Sequence, residues 1–131
     1  MSLPGNYSFT IARGKDFTIA FRKTDSATGD PFDLTGWKVR CQIRTLAGQF
    51  GTTTTTTLVL ALADGAGVEI DDPTDGHITL NLTSAQTTTL NPSNTKLKLA
   101  YEIELYNDND SPETVEGLVA GKITVTPETA R

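Results

Sequence analysis

The chain has 131 residues, 21% charged and 37% hydrophobic, with 16 acidic against 11 basic side chains and a net charge of -5. That balance excludes a charge-dominated disordered chain. The acidic sign argues against a nucleic-acid partner, which calls for clustered positive charge.

A chain of this length buries roughly two-thirds of its unfolded surface, enough for one domain over residues 1–131 without a stapling metal or disulfide. The single cysteine, Cys41, leaves no intrachain disulfide, which favours synthesis in a reducing cytoplasm. No apolar run approaches the roughly 20 residues of a membrane span, so no membrane insertion is expected. The opening stretch Met1 to Asn6 lacks the basic-then-apolar order of a secretory signal, and the sequons at Asn6, Asn81 and Asn109 read as chance.

Period-two alternation dominates the chain. A first short strand runs from about Tyr7 to Ala12, and Arg13-Gly14-Lys15-Asp16 turns it into a second, where Phe17, Ile19 and Phe21 alternate with Thr18, Ala20 and Arg22. Two turn clusters follow, Asp25 to Pro31 and Asp33 to Gly36. Trp37, Val39, Cys41 and Ile43 then alternate with Lys38, Arg40, Gln42 and Arg44, which predicts a core face carrying Trp37 as its central plug and a wet basic face. Thr52 to Thr57 is a run of six threonines, read as an exposed edge or loop, and Leu58 to Leu62 as a strand. Val68 and Ile70 suggest one more short strand.

Asp71 to Gly76 turns the chain into the strand of Ile78, Leu80 and Leu82. Thr83 and Gln86 fit a capping box over one or two helical turns closed by Leu90 and stopped by Pro92, with an irregular crossover as the alternative. Leu97, Leu99, Tyr101, Ile103 and Leu105 form the inward set of a long strand, and Asn107 to Pro112 turns it back. Val115, Val119, Ile123 and Val125 share one parity in the last strand. The pattern predicts an all-β, Ig-like antiparallel two-sheet sandwich of seven or eight strands with one short helical turn. A small closed barrel is the alternative.

The side chains that could carry chemistry are few. His77, the only histidine, follows Asp71, Asp72 and Asp75, but its parity places it on the wet face. Cys41 shares parity with core residues, so it is expected buried and inert. Asn107, Asp108, Asn109, Asp110 and Glu113, and separately Asp71, Asp72 and Asp75, offer hard oxygen atoms for calcium, although the same residues are ordinary turn formers. Phe32, Phe50 and Tyr106 are aromatics outside the inward sets and so candidates for a sugar surface. None of these forms a recognisable catalytic, cofactor or metal motif, so no enzyme activity, cofactor or metal is expected.

The order of motifs points further. Arg13-Gly14-Lys15-Asp16-Phe17 opens a strand, and Asp33-Leu34-Thr35-Gly36-Trp37 leads into an alternating one. Gly76-His77-Ile78-Thr79-Leu80 precedes the capped turn, Tyr101-Glu102-Ile103-Glu104-Leu105 precedes an acidic hairpin, and Gly121-Lys122-Ile123-Thr124-Val125 lies near the end. This layout resembles the small Ig-like domains encoded among phage and prophage tail genes. It is similar to the amino-terminal domain of upper baseplate proteins. Two stretches depart from the family pattern: Leu90 to Thr95 stands where members carry Leu-Pro-Ala-Gly, and the Thr52 to Thr57 run looks like an insertion.

The resemblance implies a non-enzymatic structural module of a phage tail, baseplate or tail fibre, made in the bacterial host cytoplasm and carried in the virion tail. Its partners would be other tail or baseplate proteins, or further copies joined through an edge near Thr52 to Thr57. A carbohydrate- or receptor-binding module is the alternative.

Overall fold

The computed structural model describes residues 5–25, 27–45, 58–92, 94–109 and 114–128. Nine strands and one helix follow in chain order: β1 (Gly5–Asn6), β2 (Phe9–Ala12), β3 (Phe17–Arg22), β4 (Lys38–Thr45), β5 (Leu58–Asp64), β6 (Gly67–Asp72), β7 (His77–Leu82), α1 (Ser84–Leu90), β8 (Leu97–Asn107) and β9 (Thr114–Thr126). A 3-10 turn, Pro73–Asp75, joins β6 to β7.

The pairing is that of an Ig-like sandwich. One layer runs β9-β8-β4-β5 and the other β6-β7-β3, with β1 and β2 laid parallel along β9. Strands 2, 4 and 5 of the constant-type immunoglobulin order correspond to β3, β6 and β7, and β4, β8 and β9 form the facing sheet, which β5 extends as in the variable type. β5 links the layers: residues up to Leu62 pair with β4, while Ala63 and Asp64 pair with β6. The barrel alternative is set aside, because β3 at one edge pairs only with β7 among the described residues.

The core is the inward parity of these strands. Val39, Cys41 and Ile43 from β4, Leu99, Tyr101, Ile103 and Leu105 from β8, and Val119, Ile123 and Val125 from β9 meet Ile78, Leu80 and Leu82 from β7. Each large apolar side chain so buried contributes about 1.5–3 kcal/mol. Phe17, Ile19 and Phe21 face the same core but stay half-buried, because β3 is an edge strand.

The capping box forms as expected. The Thr83 hydroxyl accepts from the Gln86 N–H at 3.2 Å, and the Gln86 side chain accepts from the Thr83 N–H at 2.9 Å. Leu90 is buried beneath the helix.

The Arg13-Gly14-Lys15-Asp16 turn clamps that helix in place. The Asp16 carboxylate accepts from the Ser84 N–H at 2.8 Å at the helix start. The Gly14 N–H donates to the buried Thr87 hydroxyl at 3.0 Å, which itself donates to the Lys15 carbonyl at 2.9 Å. Arg13 Nε donates to the Asn91 carbonyl at 2.7 Å at the helix end, and its guanidinium lies 3.7 Å from Glu128. Paired polar groups of this kind satisfy a loop that would otherwise bury orphan donors.

Three readings of the sequence change. First, the opening strand is broken at Tyr7-Ser8 into β1 and β2, which gives nine strands among the described residues. Second, Trp37 is not a central plug: it precedes β4 and sits half-buried at one end of the sandwich. The centre is filled by Cys41, Ile103 and their neighbours, which leave no room for an indole. Third, Val115 does not share a face with Val119. The β8–β9 register slips between Ile103, opposite Val119, and Glu104, opposite Gly117. This bulge at Leu118 inverts the parity of the preceding residues, so Val115 stands opposite outward-facing Tyr106 and Glu116 opposite inward-facing Leu105.

Candidate functional site

The histidine and the acidic loops resolve into local pairs. His77 Nδ1 lies 2.6 Å from an oxygen of Asp71, whose other oxygen accepts from the Thr79 hydroxyl at 2.9 Å. Burial alone would raise the Asp71 pKa, but the hydrogen bonds from His77 and Thr79 outweigh it and hold it below the usual carboxylate value. Both hydroxyl and imidazole thus converge on one carboxylate rather than on each other, which is not a nucleophile–base arrangement. Asp72 accepts from the Thr74 hydroxyl, and Asp75 pairs with Arg22.

In the other acidic loop Asn107 caps the Asn109 N–H, and Asp108 is held by Lys38 Nζ at 2.8 Å. That bond lowers the Asp108 pKa and raises that of Lys38. Asp110 and Glu113 lie outside the described residues, as do Phe50 and Thr52 to Thr57. Among the described residues no group of three or more His, Cys, Asp or Glu side chains could hold a metal.

Cys41 is buried, 1% exposed, and burial pushes its thiol pKa up to about 12. The thiolate, the reactive species, is therefore suppressed.

The outward parity of β4 and β8 forms the exposed face of the larger sheet. Arg40 Nε donates to Glu104 at 2.9 Å, and its guanidinium lies 4.6 Å from the Tyr106 ring centroid. Tyr106 is therefore covered by a cation rather than open as a sugar platform. Lys38 with Asp108 lies one step along the sheet, and Ala61, Ala63, Ala100 and Ala120 give a floor of small side chains.

That sheet ends in an open edge. From Leu58 to Leu62, β5 pairs with β4 on one side, and no ladder covers the other among the described residues. A bulge at Val59, between the pairs Ile43–Leu60 and Arg44–Leu58, turns Leu58 outward, where it is 45% exposed. The Thr52 to Thr57 run leads directly into this strand.

A third feature lies at the sandwich end. The Phe32 and Trp37 rings meet edge to face at 6.4 Å, and with Thr114, Val115 and Glu116 they line a depression of about 480 Å³. Backbone bonds seat Phe32: its N–H donates to the Lys23 carbonyl at 3.0 Å, and Lys23 N–H to the Gly76 carbonyl at 2.8 Å. Lys23 Nζ lies 5.2 Å over the Phe32 ring and 3.7 Å from Glu116. The inward parity of Glu116 was not legible in the alternation, although Gly117 inside a strand pattern is a signal for a bulge.

No family model matches the chain, and no curated protein matches it. Among solved structures it is similar to a chain from photo-crosslinking work on the multimeric cell-adhesive interactions of VGSC beta subunits. The two are 6% identical, each is covered over 96% of its length, and the TM-score is 0.39. The Ig-like assignment rests on the strand order given above. No helix among the described residues is long and apolar enough to cross a membrane.

Proposed function

We propose that this chain is a non-enzymatic structural or assembly module of a phage virion, sited in the tail, baseplate or tail fibre. The observation that carries the reading is the open edge of β5. Among the described residues no ladder covers the outer side of Leu58 to Leu62, and such an edge with an exposed Leu58 is a template for strand addition from a neighbouring chain. The Thr52 to Thr57 run that precedes it has strand propensity, no charge and no proline. The motif order shared with tail-associated Ig-like domains supports the same reading. The contact of His77 with Asp71 and the burial of Cys41 fit the non-enzymatic reading.

In this reading the partners are other tail or baseplate proteins, or further copies of the chain joined through the edge near Thr52 to Thr57. The protein is made in the host cytoplasm and leaves in the particle. Mass spectrometry of purified virions tests the role directly: the chain is expected in the particle at a fixed ratio to tail proteins, and its absence would overturn the proposal. Thr54→Lys with Thr56→Lys tests the edge, since charge on an edge opposes pairing. Loss of incorporation is expected. Full incorporation of that variant would eliminate strand addition and leave the outer sheet face as the contact.

A further inference from the structure

We infer that two copies of this chain pair through β3, antiparallel across a twofold axis at Ile19, so that β6-β7-β3 of each copy joins into one continuous sheet. This edge is distinct from the one near Thr52 to Thr57, and the inference stands whether or not the chain is carried in a virion.

Three observations lead there. The first is a vacancy. In the constant-type immunoglobulin order the first strand flanks the second, but here β1 and β2 lie along β9 instead. Among the described residues no ladder covers the outer side of β3. An unpaired edge offers its backbone groups to another strand. The second is the rim of that vacancy. Phe17, Ile19 and Phe21 stay half-buried, and Tyr7, 50% exposed, has its ring centroid 6.0 Å from that of Phe21. A strand laid beside β3 would cover this apolar row.

The third is self-complementarity, and it selects a second copy as the occupant. Opposed residues of an antiparallel pair share a face, so the inward Phe17, Ile19 and Phe21 must oppose one another. With Ile19 opposite its own twin, Phe17 faces Phe21 and Thr18 faces Ala20. The same register sets Arg22, the last residue of β3, opposite Asp16, which immediately precedes the strand in the other copy. Both side chains are exposed, and the twofold makes the contact twice. Opposite charges facing each other across a strand pair attract, and like charges there repel. An axis at Ala20 would set Phe17 against Lys23, and an axis at Thr18 would set Phe21 against Lys15, so only the axis at Ile19 keeps the apolar row together and closes both ends with opposite charges. Arg22 already meets Asp75, and the Asp16 carboxylate already accepts from the Ser84 N–H, so each partner charge extends an existing contact. Lys15 and Lys23, the next pair outward, fall beyond the strand, and Lys23 is drawn to Glu116 at 3.7 Å.

The experiment measures the mass of the full chain by analytical ultracentrifugation across concentration, and a monomer–dimer equilibrium is expected. Arg22→Glu sets like charges at both contacts, as does Asp16→Lys, so each variant alone should dimerise about tenfold more weakly or worse. An equimolar mixture of the two should restore the dimer, because the mixed pair regains opposite charges at both contacts. Circular dichroism checks that both variants keep the native fold, since Asp16→Lys also removes the acceptor of the Ser84 N–H. Ile19→Cys reads the register independently: the introduced thiol faces its twin within disulfide reach, so oxidised glutathione, itself reduced, should convert the variant to a covalent dimer. Thr18→Cys faces Ala20 and should not couple, and the native Cys41 is buried. A chain that stays monomeric at its highest soluble concentration would overturn the inference, as would a dimer unchanged in Arg22→Glu. Failure of the mixture to dimerise, with both variants folded, would reject the axis at Ile19. A dimer abolished by Thr54→Lys with Thr56→Lys but not by Arg22→Glu would assign the contact to the β5 edge and reject pairing through β3.

Discussion

Gly121→Ala tests how the amino-terminal strand is seated, and its sign is diagnostic. Gly121 faces inward on β9 opposite Tyr101, and the backbone of Tyr7 crosses directly over it. A Cβ at this position would lie 2.1 Å from the Tyr7 carbonyl oxygen and 2.8 Å from its carbon. Both are main-chain atoms, so no rotamer change relieves the overlap, and the β1–β2 segment must move away by more than an ångström to reach ordinary contact. That movement strains the Tyr7 N–H bond to the Ala120 carbonyl, 3.0 Å, and the bond from the Tyr101 hydroxyl to the Tyr7 carbonyl. Overpacking costs about 1–3 kcal/mol, and a lost hydrogen bond about 1 kcal/mol more. The expected destabilisation is therefore about 2–4 kcal/mol, a fall in Tm on the order of 10 °C.

An ordinary Gly→Ala change in a compatible backbone stabilises by about 0.4–1 kcal/mol through the unfolded state, so the two accounts differ in sign. Chemical denaturation of Gly121→Ala, with Lys122→Ala as an exposed neighbour expected within about 0.5 kcal/mol of the parent, measures it. Tyr101→Phe removes only the hydroxyl bond, and its effect should be less than additive with Gly121→Ala, because both act on the seat of Tyr7. Unchanged or increased stability in Gly121→Ala would refute the close approach as the reason for glycine here.

Three further outcomes follow from the packing. Cys41 and Tyr101 both ionise later in the fold than in the open chain: burial raises Cys41 from 9.0 to about 12, and raises Tyr101 from 10.0 to about 12 with the neighbouring Cys41 and Tyr7 adding to it. Raised acids bind their protons more tightly when folded, so this stability is complete below pH 9 and is lost as pH rises from 9 toward 12. Denaturation midpoints across that window should fall, and native Cys41 should resist a thiol reagent at pH 8 until unfolded; rapid native labelling would place it at the surface. Thr83→Ala removes the N-cap acceptor of α1 and should cost about 1 kcal/mol, read from urea midpoints, with no loss showing that tertiary contacts alone hold the helix. Calcium added to metal-free protein should leave Tm unchanged, because Asp71, Asp75 and Asp108 are held by His77, Arg22 and Lys38; a rise of several degrees would reverse that reading.

The sequence by itself determined which residues face inward wherever alternation runs unbroken, where the chain turns and where its helix starts. Val39, Cys41 and Ile43, or Ile78, Leu80 and Leu82, sort to one face because pleating sends alternate side chains to opposite sides whatever lies beyond them. The Thr83–Gln86 box is equally local, its partners three positions apart. Tertiary structure alone decided what a strand meets. The partners of Arg13, at Asn91 and Glu128, are 78 and 115 positions away, and nothing local names them.

It also decided where alternation breaks. One extra residue at Leu118 or Val59 reverses the faces of everything on one side of it, and whether a residue is extra depends on the register of the strand alongside. That is why the facings of Glu116 and Leu58 were not legible in the alternation. It is also why Trp37, the largest side chain in the inward set, lies at the mouth of the sandwich. The middle of β4 is set by its pairing across β8, where Cys41 faces Ile103, and this leaves Trp37 one residue before the strand begins.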